Sequence, residues 1–136
     1  MDTEELKRLI VANAAEIVRL HARVHETERH RSDGTRARAE WTAACAEFHA
    51  RYNDLAFPGG YHGASARIVA GDPTSVEAAI CFLELRPYFF RSGYMYKELL
   101  RKIKRAPLSL EQEQRFQVVL ERQALWRTQQ AKKNAS

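Results

Sequence analysis

Only two cysteines occur in the chain, Cys45 and Cys81, 36 residues apart and each inside an apolar segment. They form no Cys-x-x-Cys pair and have no His pair beside them. A zinc site built on thiolates therefore has no starting point, and both read as reduced, small buried hydrophobes. Long apolar runs are missing too: the longest, 78–83, has six residues, against roughly 20 for a membrane-spanning helix. Membrane insertion is not expected. The start, Met1-Asp2-Thr3-Glu4-Glu5, places acids where a secretory leader carries cations ahead of an apolar stretch, so a cytoplasmic location is expected. Gly-x-Gly-x-x-Gly, the P-loop lysine and His-Glu-x-x-His are all absent. No cofactor, no resident metal and no catalytic residue are therefore assigned, and an enzyme is not the leading expectation.

What is present is a helical pattern. With 136 residues, 45% of them hydrophobic and 29% charged, the chain suits one domain that buries a real core without metal or disulfide staples. At about 100° per residue, Leu6, Ile10, Ala14, Ile17, His21 and Val24 share one face of a helix over 3–31. Ser32-Asp33-Gly34 stops that helix. A second helix over 35–54, with Trp41, Cys45, Phe48 and Tyr52 as its stripe, follows a tight turn, so 1–54 is expected as an antiparallel hairpin.

Four of the six glycines and two of the four prolines fall in 55–73, which reads as a long Gly/Pro loop with a short extended piece at 67–69. Thr74-Ser75-Val76-Glu77 has the form of a capping box opening an almost wholly apolar helix to 85. Pro87 and Ser92-Gly93 punctuate before a helix over 94–105. Ser109-Leu110-Glu111-Gln112 is a second capping box, opening a last helix to 130 in which Phe116, Val119, Leu120, Gln123 and Trp126 recur at helical spacing. Residues 131–136 are expected to fray. The expectation is a single all-α domain over 1–130: a bundle of about five helices, with 74–130 supplying the C-terminal helices.

Three groups carry possible chemistry. His21, His25 and Glu28 lie one turn apart on the first helix, a spacing that suits a divalent metal if His49 joins from the second helix; a core histidine is the plainer reading. In the loop, glycines flank Tyr61 and His62, and His62 is the best-placed general base among five histidines, with a surface linker as the plainer reading. A small enzyme or metal protein using His62 or the His21/His25 pair is therefore one alternative.

The third group is 86–105. It holds seven cations and one acid, and five of the thirteen aromatics fall within 88–96. The candidate binding residues are Arg86, Tyr88, Arg91, Tyr94, Lys97, Arg101, Lys104 and Arg105. The leading expectation is a helical protein-interaction module that uses this segment to hold an acidic protein partner. Nucleic-acid binding through the same residues is the alternative, since rings stack on bases and cations neutralise phosphates. A solvated helix face with a core corner is the plain structural account. The apolar edge of the first helix also permits a homo-oligomer.

Overall fold

The computed structural model describes residues 1–135. They form six helices, and among the described residues there is no strand: α1 (Thr3–Arg29), α2 (Thr35–Ala56), α3 (Ala64–Val69), α4 (Pro73–Leu85), α5 (Ser92–Ile103) and α6 (Leu110–Ala135). The chain is an all-α bundle. Asp2 caps α1 by accepting from the Glu5 N–H at 2.8 Å, satisfying one of the donors a helix start leaves open. The buried face of α1 is Leu6, Ile10, Ile17 and Leu20.

α1 and α2 run antiparallel, as the short turn dictates. Arg23 of α1 bonds Glu47 of α2 at 3.0 Å, while Glu16, two turns earlier, meets Arg51 at 3.4 Å. α4 sits at the centre, packed on α1, α3, α5 and α6, and buries Val76, Ala78, Ala79, Ile80, Cys81, Phe82 and Leu83. A helix apolar on nearly every side has no other stable place. Each large side chain removed from water there contributes about 1.5–3 kcal/mol.

Several expectations are corrected. The segment 55–73 is not one long loop. α2 runs on to Ala56, and 67–69 is helical, part of the six-residue α3 that raises the count of helices to six. The connection is also not a surface linker. Phe57 is fully buried, the Gly60 N–H bonds Phe57 O, and the Tyr61 N–H bonds Asn53 O. Arg67 donates to Gly60 O and His62 O and to the Ser75 hydroxyl, closing the turn around a side chain instead of leaving it to solvent.

Thr74 is not the cap of α4. Asp72 is, accepting from the Ser75 N–H with Pro73 at the first helical position, where a proline costs no hydrogen bond. α5 starts at Ser92 rather than 94 and ends at Ile103, and 131–135 continue α6 as helix; Ser136 lies outside the described residues. The box at Ser109 and Gln112 forms as expected, with both reciprocal bonds in place at 3.0 and 3.1 Å.

Candidate functional site

The local chemistry of 86–92 decides which rings face out. α4 ends at Leu85 with Arg86 in the left-handed region, φ 47°, and Pro87 cannot extend the helix. The chain turns back on Ser92, whose hydroxyl accepts from the Phe89 N–H at 3.0 Å while its own N–H bonds Phe89 O. Arg91, at φ 67°, then caps α5. This turn drives Phe89 inward against Phe82 and Tyr52, and Tyr52 fixes it by donating its hydroxyl to Phe90 O at 2.6 Å.

The five rings therefore divide. Phe89 and Tyr96 are buried at 6% exposure, while Tyr88 stands 90%, Tyr94 77% and Phe90 41% exposed. Phe89 and Tyr96 belong to the core corner, and the other three are displayed.

Among the described residues, none of the seven cations of 86–105 enters an ion pair; those on α1 and α2 that do include Arg19, Arg23, Arg29, Arg31 and Arg51. The single acid of the segment, Glu98, forms no ion pair among the described residues, though Lys102 and Arg101 lie close enough to favour its charge. Its carboxylate accepts from the Tyr61 hydroxyl at 2.6 Å and the Ser65 hydroxyl at 2.7 Å. Those two bonds hold its carboxyl below the usual range. Burial pushes the Tyr61 phenol up in turn, with the Glu98 bond adding to it.

Arg86, Tyr88, Arg91, Tyr94 and Lys97 line one side of an open groove of about 1020 Å³. Its other walls come from elements outside 86–105: Val18, His21, Ala22 and His25 of α1, and Gln123, Trp126 and Arg127 of α6. Arg86 has a second job, lying over the Tyr96 ring at 4.5 Å and the Trp126 ring at 5.0 Å. Arg91 lies over Phe90 at 5.3 Å. Arg101, Lys104 and Arg105, at the far end of α5, are exposed but lie outside the groove, so the eight candidate residues form two neighbourhoods. Trp126, spaced with the core residues of α6, is 45% exposed.

The only non-glycine residues with a left-handed backbone among the described residues are Arg86 and Arg91, both on this groove. Glycine fits such positions without strain. Strain held at a cleft by two arginines is a pointer to function.

The His21 and His25 rings meet edge-on at 4.5 Å, and His21 also packs on Phe90 at 4.8 Å and Phe48 at 5.3 Å. Burial, helped by His25, lowers the His21 pKa from its ordinary 6.5. His25 faces Glu28 at 3.8 Å, but His49 turns edge-on to Phe48. No three metal-ligating side chains come together among the described residues.

The loop pair does not join the groove. Tyr61 is held by Glu98, and His62, though exposed, has its backbone N–H fixed by Asn53 and no side-chain hydrogen bond or ion pair among the described residues. The loop thus does not present a ligand-binding pair beside the basic segment.

Cys45 and Cys81 are unpaired. Burial pushes the Cys81 thiol up to about 11, with the Glu77 carboxylate adding to it, which keeps it protonated and unreactive. No described helix is long and apolar enough to cross a membrane. Comparison of the chain with protein-family models, curated proteins and solved structures returns no match.

Proposed function

We propose that this protein is a cytoplasmic protein-interaction module that holds an acidic segment of another protein through 86–105, with the groove as its docking site. The observation that carries this reading is the unpaired charge. Among the described residues the seven cations form no ion pair, and the one acid of the segment is hydrogen-bonded by Tyr61 and Ser65. A protein normally scatters both signs over its surface. A cluster of one sign beside exposed rings steers and holds a partner of the other sign, and arginine with tyrosine and tryptophan is the composition of binding hot spots. The two unpaired thiols support a reducing compartment.

The test is a triple charge reversal, Arg91→Glu, Lys97→Glu and Arg101→Glu, read by fluorescence anisotropy with glutamate-rich peptides. The variant is expected to lose peptide binding while its thermal unfolding stays close to that of the parent. Equal binding by the variant removes the basic segment from the account.

A second reading, single-stranded nucleic acid, is favoured by Tyr88 and Tyr94, exposed rings beside Arg91 and Lys97. Stacking with six phosphate contacts makes log affinity fall against log salt with a slope of about −4 to −5. Tight oligonucleotide binding with that slope, and none of acidic peptide, selects it.

A further inference from the structure

α1 carries two apolar stripes. The inner one is buried in the bundle. The outer one, Val11, Ala15, Val18 and Ala22, is exposed along its whole length, and its spacing of four, three and four is that of a helix-packing seam. Across the groove, α6 presents Gln123, Trp126 and Arg127, at spacings of three and four.

The outer half of α6 is thinly supported. The buried residues of this helix are Phe116 and Val119, both in its first half. Beyond them it is tied to the body by Trp126 on Arg86 and by Arg122, which donates to Glu84 O at 3.1 Å. Two helices thus flank one trough with residues of helical spacing, and Phe90 and Tyr94 line it between them.

Resting on the docking reading above, we infer that the groove takes its partner as an acidic amphipathic helix, laid between α1 and α6 as an additional member of the bundle. Ridges of a third helix fit seams that repeat every three to four residues. An extended chain repeats every two and matches neither wall. The charge is set by Arg91, Lys97 and Arg127 on the rim, none of them ion-paired among the described residues. A second copy of this chain fits poorly, because its own exposed helix, 121–135, carries four cations against one acid and sets like charge on like.

The probes are two display libraries of acidic peptides of about 16 residues, long enough for several helical turns. In one, the varied apolar positions recur at three and four; in the other they alternate and the chain is interrupted by proline. The full chain is expected to select binders from the first library only. The bound peptide gains helix by circular dichroism, and amide exchange slows in 118–135 of α6 and 15–25 of α1. Val18→Glu and Ala22→Glu, both at exposed positions lining the groove, each weaken binding about tenfold or more with unfolding unchanged.

Binders only from the proline library, or binding indifferent to Val18→Glu and Ala22→Glu yet lost in Arg91→Glu, overturn the helix and leave the docking reading standing. No binder sensitive to Arg91→Glu from either library overturns both. A dimer in sedimentation that Val18→Glu dissolves assigns the groove to a second copy and overturns the inference.

Discussion

The Arg86 guanidinium lies 5.0 Å from the centre of the Trp126 ring and 4.5 Å from that of Tyr96, so one side chain joins the end of α4 to α5 and to the outer half of α6. Arg122 adds a further tie, donating to Glu84 O at 3.1 Å. A residue that looks like a ligand contact in the sequence is therefore also the clamp that shapes the groove.

Removing the ring tests the clamp. Trp126→Ala is expected to cost about 0.5–1 kcal/mol, the worth of a half-exposed cation–π contact. The midpoint of unfolding shifts by only a few degrees, but amide exchange in 121–135 quickens selectively, because a helix with little packing is marginal alone. Uniform quickening across all six helices contradicts a local clamp.

Arg91 offers the opposite trade. Its left-handed backbone, φ 67°, costs an L-residue about 1 kcal/mol that glycine does not bear. Arg91→Gly is expected to hold or raise the unfolding temperature and at the same time weaken acidic-peptide binding. Stability and binding moving apart marks strain kept for function. A fall in both measurements assigns the arginine a structural role.

Much of the bundle is written in local pattern. The 3.6-residue period places α1, α2, α4, α5 and α6, and Ser109 with Gln112 marks the start of the last helix. α3 escapes because six residues between glycines carry too little period to read. Asp72 and Thr74 both have capping chemistry, and Pro73 fits the first helical turn in one frame only, after Asp72. The basic segment was legible as composition. Its groove was not, because the opposite walls come from Val18, 68 residues before Arg86, and from Trp126, 40 residues after it. Nor was the hydrogen bonding of Glu98, which depends on Tyr61 and Ser65, 37 and 33 residues earlier.

Glu77, which has the position of a capping residue in the sequence, is instead the centre of a network. Its carboxylate accepts from the Thr3 hydroxyl at 2.8 Å, the Gln112 amide at 3.0 Å and Arg115 at 2.8 Å, and Arg115 also grips Glu84 at 2.6 Å. Burial alone raises its pKa, but the bonds from Gln112, Arg115 and Thr3 outweigh it and leave the pKa below the ordinary 4.5. A carboxyl depressed in the fold contributes stability in full above its unfolded value and loses it as pH falls through the folded one. Glu77→Gln is expected to cost about 2–3 kcal/mol at pH 7. The gap to the parent closes toward pH 3 in urea titrations. A gap independent of pH shows that lost packing, not charge, is responsible.

His21 gives the groove a pH response of the same sign in a higher pH window. Burial against Phe48 and Phe90, then His25, lowers its pKa below 6.5. The unfolded chain therefore takes the proton first, and the fold loses stability as pH drops from 6.5 through the lowered value. His21→Leu is expected to flatten stability between pH 7 and 5.5. Binding runs the opposite way. An acidic segment seated over His21 favours its charged form, so affinity rises as pH falls over that interval. Carboxylates of the peptide titrate near 4 and do not contribute there. The doubly substituted His21→Leu, His25→Leu protein is expected to bind the acidic helix with a flat profile from pH 7.5 to 5.5. An unchanged slope in that variant places the bound segment away from the two imidazoles, and so out of the trough between α1 and α6.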